Sequence, residues 1–391
     1  MKTELIKWEI KKLWMLPMIP VFLVLCLIFN FLIIVENRYG HPGALYVDYV
    51  SGVSEQTGSQ MGFAFDLRAA LLPENEYKQA LLSQTVGAAD IFETYDVLQL
   101  YEVYTGKFNM QGYVAEALEK KYSKLEKRVT ELAERDASMD LAAAGMTKYL
   151  LDSLFERLCK AGITEGMILA VMIALYVCGR EQTERTQSVV YATRRGRLIQ
   201  REKAAAGLIS AIVLYGILMG VSIALFAAVW RMGPIWNADM SSQFYYISDL
   251  GIKLPFVSWA DFSIAGYLAA VTGLGLVVAV IFYALSYIAG LVSSSGSSSY
   301  AAYKGFLSVL VFIAFNFAVI IAAGNSGWWL MYEGLLWTPV GFWWSSPVWF
   351  SELGASTLVS WQECRVAAVC LTVCALLLFG SFRRFYKKEI L

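Results

Sequence analysis

Residues 15–35 read MLPMIPVFLVLCLIFNFLIIV, without a single charge. A helix rises 1.5 Å per residue, so about 20 apolar residues cross the ~30 Å hydrocarbon core of a bilayer. This stretch therefore reads as a membrane span. Working outward, five further runs of similar character follow at 163–179, 207–230, 264–291, 305–323 and 364–382. Hydrophobic residues make up 58% of the 391-residue chain and charged residues 16%. Soluble chains carry about 25% charge, so the excess apolar content is that of a multi-pass protein. The expected fold class is an all-α integral membrane protein of six transmembrane helices.

The same composition closes several functional routes. The single histidine, His41, leaves no His-based triad, zinc motif or histidine proton relay. No Gly-x-x-x-x-Gly-Lys-Ser/Thr loop is present, so ATP binding by a phosphate loop is not expected from this chain. The net charge is zero, so nothing points to nucleic acid. Span interiors lack the charged residues that mark ion and proton pathways, with Glu165, Glu363 and Arg365 placed at outer ends. Neither a catalytic nor a metal constellation is legible, and no cofactor is expected on this chain. The six cysteines show no disulfide framework or zinc spacing, although Cys159 and Cys364 fall near the same membrane face.

The segments order themselves around the spans. Residues 1–14 carry Ile6, Ile10 and Leu13 on one helical face and Lys2, Lys7, Lys11 and Lys12 beside them, an amphipathic elbow helix lying in the interface. The first span, 15–35, is followed by a polar domain at 36–162. Residues 163–323 hold spans two to five, with a loop at 180–206 between the second and third. An aromatic connection fills 324–363, and 364–391 holds the sixth span and a basic tail. With the N-terminus inside, the inner segments hold sixteen Lys/Arg: Lys2, Lys7, Lys11, Lys12, Arg180, Arg185, Arg194, Arg195, Arg197, Arg201, Lys203, Lys304, Arg383, Arg384, Lys387 and Lys388. The short outer segments hold only Arg231, Lys253 and Arg365. The positive-inside rule then puts both termini in the cytoplasm and the 36–162 domain outside.

That domain is expected to be mainly helical. Short strands are expected near residues 44–50. Leu118, Tyr122, Leu125, Val129 and Leu132 are spaced four, three, four and three, a narrow apolar seam of coiled-coil type. A second helix at about 146–160 runs toward span two. The two make either a helical hairpin standing on the membrane or a packing stripe within a compact domain.

Chemistry concentrates in the loop after span two. Glu181 and Glu184 come first, then Thr186 and the small apolar patch Val189, Val190 and Tyr191. A basic turn, Arg194-Arg195-Gly196-Arg197, leads through Lys203 into span three. An apolar patch between polar flanks is the pattern of a short helix seated in a partner's groove. The plain alternative is that these cations serve topology and lipid headgroups alone.

At this loop the chain resembles the type-2 ATP-binding-cassette (ABC) transporter permeases, in the branch with a large extracellular domain after the first span. The resemblance rests on Glu184, Thr186, Val189–Val190, Arg197 and Lys203 in the loop, and on the six spans, amphipathic N-terminal helix and aromatic hairpin around it. It departs from the family where Arg185 replaces a glycine and Arg194-Arg195-Gly196 replaces a proline turn. The resemblance implies a permease subunit in a bacterial plasma membrane, paired with a second permease subunit. It also implies a cytoplasmic ABC ATPase subunit that carries ATP and Mg and docks on this loop.

Seven of the twelve tryptophans lie in the 324–363 connection, too broken by Pro339 and Pro347 for a span and too apolar for a solvated loop. It is expected to form a re-entrant aromatic hairpin, shielded by protein. Trp328, Trp329, Trp337, Trp343, Trp344 and Trp349 are candidates for an exit path for amphipathic substrates. The plain alternative is an interfacial aromatic belt. Gly216 and Gly220 form a Gly-x-x-x-Gly pair suited to helix packing. The expected function is ATP-driven export of a peptide antibiotic, lipid or drug. The rival is a non-transporting transmitter that couples a cytoplasmic ATPase to the outer domain.

Overall fold

The computed structural model describes the chain except residues 1, 41–42, 108–109, 141–146, 193–195, 248–251, 294–300, 353–357 and 388–391. Six helices are long and apolar enough to cross a membrane: Met18–Tyr39, Lys148–Glu181, Gly196–Val229, Ile264–Ser293, Lys304–Asn325 and Gln362–Lys387. In chain order the helices are α1 (Lys2–Trp14), α2 (Met18–Tyr39), α3 (Gly43–Thr57), α4 (Phe63–Ala70), α5 (Glu76–Thr85), α6 (Val97–Lys107), α7 (Tyr113–Ala133) and α8 (Thr147–Asp152). They continue as α9 (Lys160–Thr183), α10 (Gln187–Tyr191), α11 (Ile199–Val229), α12 (Ile264–Ser293), α13 (Ala301–Asn325), α14 (Trp329–Leu336), α15 (Pro339–Trp344) and α16 (Gln362–Lys387). A two-stranded antiparallel hairpin pairs Phe244–Ile247 with Ile252–Pro255.

The bundle is organised around α9 and α12, which pack along each other. Tyr267, Val278, Ile281, Phe282 and Tyr287 of α12 are buried in one core with Ile163, Leu169, Ala170, Ile173 and Ala174 of α9. The second span is the most enclosed of the six, while the first, fifth and sixth present most of their apolar surface outward. Leu25, Phe29, Leu32, Val311, Phe315, Leu376 and Phe379 form those outward faces. Such surface is stable only against lipid or another apolar subunit. α1 lies along α11 and buries Leu13. One end of the bundle therefore carries α1, α10 and the end of α16, and is called here the terminal face. The other end carries the polar domain and is called the domain face.

Close helix approach depends on glycine, at a pair other than Gly216 and Gly220. A Cβ built on either of those would meet nothing within 4 Å among the described residues, so no described helix packs tightly there. The tight pair is Gly162 and Gly166 on α9. A Cβ at Gly162 would come 2.5 Å from the Met219 sulfur, and one at Gly166 would come 2.3 Å from the Tyr215 ring. Tyr215 fills the notch, approaches Gly275 of α12 from the other side, and donates its hydroxyl to the Thr272 carbonyl at 3.0 Å.

The second span is longer than its apolar run. α8, a π-helical turn at Ser153–Cys159 and α9 follow one another without a break. The domain is thus rooted directly in the bundle's central helix, as expected of a helix at 146–160 running into span two. Cys159 is buried, Cys364 is exposed, and both are free thiols.

The polar domain departs from expectation in two respects. Residues 44–50 lie in the helix α3, not in strands. Its alternation of Val and Tyr resembles a strand pattern, but Ala44, Val47, Val50, Ser51 and Ser54 all face one buried side at helical spacing. Of the two arrangements open to the seam of α7, the packing stripe within a compact domain is the one formed: α7 pairs with α6, while α8 packs on α3. Leu118, Tyr122, Leu125, Val129 and Leu132 form the centre of a second core with Phe92, Val97 and Met110. Finally, the domain is assembled from three chain segments. Val257 and Leu358 complete that second core, from the connections after the third and fifth spans.

Candidate functional site

The terminal face carries the loop after the second span. α10 is a single helical turn and a half, entered at Thr186 and preceded by Arg185 at a positive φ of 55°. Left-handed backbone costs a non-glycine residue about 1 kcal/mol or more. Val189 points outward and is 71% exposed, while Val190 is half-buried and Ser188 exposed. Among the described residues, nothing covers this aliphatic side chain on the tip of a five-residue helix.

The base of this turn is clamped. Glu181 and Lys203 form an ion pair, with side chains only 8% and 2% exposed. It ties the end of the second span to the start of the third. Tyr191, the last residue of α10, packs edge-on against Phe385 of α16 at 5.9 Å and accepts from the Gln200 amide at 3.1 Å. The Tyr287 hydroxyl of α12 donates to the Gln200 carbonyl at 2.8 Å. Arg197 donates to the Phe385 carbonyl at 2.9 Å, and Arg180 pairs with Glu184 at 2.9 Å. Glu181 and Arg197 thus face other helices of the chain, whereas Val189 is presented outward. Arg194 and Arg195 lie outside the described residues.

Between α9 and α13 runs an apolar groove of about 450 Å³, open on its outer side, where Ile168, Phe306 and Leu310 are exposed. Met167, Ile168, Val171 and Met172 form one wall and Phe306, Leu310, Ile313 and Phe317 the other. Trp343 closes its domain-face end. Lys160, at the head of α9, holds Trp343 there. Its ammonium donates to the carbonyls of Trp343 (2.6 Å) and Trp344 (3.1 Å) and to Ser346 Oγ (3.0 Å), and lies 4.3 Å from the Trp343 ring centre. The Trp343 indole N–H donates to Thr164 at 3.0 Å.

The aromatic candidates separate. Trp343 lines the groove, and Trp344 stands edge-on to Phe317 at 4.9 Å. Trp349 is buried core, stacked on Phe342 at 4.9 Å. Trp337 is half-buried and its carbonyl receives the Cys370 thiol. Trp328 is exposed, and Trp329 packs on the second core of the domain.

Sequence reasoning missed two polar constellations. In the first, the Asn30 amide on α2 donates to Glu165 at 2.8 Å and to Ser222 at 3.0 Å, tying the first three spans together. Glu165 is therefore part of a buried network rather than a solvated span end. A single Asn in an otherwise apolar run was the available signal.

The second is a line of cations on α7 and its C-terminal end. Lys121, Arg128 and Arg135 recur every seven residues beside the apolar seam. Lys121 is fully buried and donates to the Glu352 carbonyl at 2.7 Å. Arg128 donates to the Ser258 carbonyl at 2.9 Å and pairs with Asp261 at 2.6 Å. Arg135 pairs with Asp239 and Asp261, both at 3.0 Å. α7 is thereby fixed to the connections after the third and fifth spans. Burial pushes the Lys121 ammonium below its ordinary range, and pushes Glu352 up to about 7 against the pull of Lys121. Burial likewise pushes Glu333 up to about 8, with Lys121 and the Gln362 amide pulling the other way.

Among the described residues no group of three His, Cys, Asp or Glu side chains could hold a metal ion. No protein-family model, curated protein or solved structure matches the chain.

Proposed function

We propose that this chain is the membrane subunit of an ATP-driven exporter of the type-2 ABC kind, with ATP and Mg held by a separate cytoplasmic ATPase. The observation that carries the reading is Val189. It is an exposed aliphatic side chain on a short helix that is bound at its base to the second, third and sixth spans. A partner that buries Val189 gains apolar area and holds a lever on three spans at once. Closure of two ATPases around ATP would shift α10. The Glu181–Lys203 and Tyr191–Phe385 contacts would pass that shift into the bundle.

The apolar groove between the second and fifth spans favours a lipid-like or amphipathic cargo, because it offers no polar partner to an ion or sugar. A second permease subunit would cover the outward apolar faces that lipid does not. The test is ATP hydrolysis by the reconstituted complex in liposomes. The chain alone should hydrolyse none. Addition of an amphipathic peptide or drug should raise turnover of the complex.

A second reading is favoured by the cations of α7. Lys121, Arg128 and Arg135 make the domain one piece with the connections after the third and fifth spans. Motion of those spans would therefore move the domain, as a transmitter requires. In that case ATP turnover would respond only to a ligand of the outer domain and not to an amphiphile.

A further inference from the structure

A second groove, of about 420 Å³, runs between the first and second spans near the domain face. Its inner part is apolar, lined by Phe29, Ile33 and Ala161. Phe29 is among the outward-facing residues of the first span, so the groove opens sideways toward the bilayer. Its outer rim carries Glu36 from the first span and Arg157 and Lys160 from the second, and Glu165 lies deeper. At 1.5 Å per residue, Glu36 stands about 10 Å beyond Phe29 along the helix axis. The groove is therefore amphipathic along its length, charged at the domain face and apolar toward the membrane interior.

The rim's charges discriminate among ligands. Two cations and two carboxylates line the groove, so its side chains sum to zero formal charge. Lys160 has three donors, and these go to Trp343, Trp344 and Ser346. Arg157 has five donors, one of which goes to the Asn37 side chain. Arg157 is exposed, so its remaining edge is the rim's donor for a phosphate. Glu36 is also exposed, on the facing helix, and offers an acceptor to a cation. Glu165 is engaged by Asn30 at 2.8 Å. One anion site beside one cation site, above an apolar trough, matches a zwitterion on an acyl chain.

We propose that this groove holds one zwitterionic phospholipid with a primary-amine headgroup. Its phosphate sits on Arg157, its ammonium on Glu36 and an acyl chain along Phe29, Ile33 and Ala161. A quaternary ammonium lacks the N–H donors that Glu36 would accept, so the site prefers ethanolamine to choline. An anionic headgroup would satisfy Arg157 and leave Glu36 repelled. The proposal is independent of whether the chain exports anything.

The test is native mass spectrometry of the delipidated full-length chain. It is titrated with phosphatidylethanolamine, phosphatidylcholine and phosphatidylglycerol of identical acyl chains. The wild type should retain one phosphatidylethanolamine per chain more tightly than either other lipid. Arg157→Gln should weaken that binding about tenfold, the size of one charge-assisted hydrogen bond. Glu36→Gln should remove the preference for ethanolamine over choline, and Ala161→Trp should fill the trough and abolish retention. Arg157 and Glu36 are exposed, so their variants report on binding even if Ala161→Trp fails to fold. Equal retention of the three lipids, a preference for phosphatidylglycerol, or undiminished binding by Arg157→Gln would each overturn the assignment.

Discussion

Glu181 and Lys203 form a buried ion pair across the segment that carries α10, closing the base of the turn between the second and third spans. Removing one partner of a buried pair leaves an uncompensated charge and costs about 3–5 kcal/mol. Glu181→Ala and Lys203→Met should therefore each lower the thermal stability of the purified chain sharply. The double variant Glu181→Met/Lys203→Met should recover most of that loss, because no charge is then stranded. Yet it should still impair the response of ATP turnover to substrate, since the tie between the two spans is weakened. Thermal unfolding of the four proteins, followed by circular dichroism, reads the first effect, and substrate-stimulated ATP turnover of the reconstituted complexes reads the second.

The two Gly-x-x-x-Gly pairs give opposite expectations. Gly166→Leu would drive side-chain carbons into the Tyr215 ring, and overpacking costs about 1–3 kcal/mol or more. Gly216→Leu points into open space and should leave the melting temperature within about a degree or two, the scale of a change below 0.5 kcal/mol. Equal losses from the two changes would mean that another subunit covers Gly216.

This contrast shows why some features were legible and others were not. Six spans were readable because long charge-free runs have one physical solution in a bilayer. Gly162 and Gly166 were obscured because Thr164 and Glu165 stand between them at the edge of an apolar run. The pairing of α6 with α7 was not readable, because residues 97–107 have no sharp amphipathic pattern. The three-segment assembly of the domain depends on long-range partners such as Val257 and Leu358, which no local pattern announces. Lys121 is one of several lysines on α7, and its buried partner Glu352 comes from the connection after the fifth span. Only its seven-residue spacing to Arg128 and Arg135 distinguished it. In the loop after span two, the apolar patch and its flanks were readable. The inward turn of Glu181 and Arg197 was not, because their partners Lys203 and Phe385 come from other helices.

Glu333 provides a pH test of the aromatic connection. Burial pushes its carboxyl from an ordinary 4.5 up to about 8. A raised carboxyl pKa stabilises the fold fully below the unfolded value, and that contribution is lost as pH rises through the folded value. The melting temperature should therefore fall from about pH 5 to about pH 8 and level off above that. Glu333→Gln, which keeps the shape and cannot ionise, should flatten that fall. An unchanged pH profile in Glu333→Gln would assign the dependence to another group.

The groove between the second and fifth spans can be filled without touching α10. Ala314→Trp adds an indole into a space of about 450 Å³. The variant should still bind the ATPase subunit, and basal ATP hydrolysis should persist. Stimulation by an amphipathic compound should be lost. Stimulation that survives at full amplitude would place the cargo elsewhere.

The central claim is that α10 receives the ATPase through its exposed apolar tip. Burying a valine contributes roughly 1.5–3 kcal/mol, while exposed ion pairs contribute about 0–1 kcal/mol and are screened by salt. The most direct measurement is co-purification of the ATPase subunit with Val189→Asp, compared with wild type and with Arg194→Ala. Val189→Asp should insert normally in the membrane and lose the ATPase, by about ten- to a hundredfold in affinity on that energy scale. Arg194→Ala should bind nearly as wild type, with a deficit that shrinks at high salt. Full ATPase binding and substrate-stimulated turnover in Val189→Asp would contradict the account.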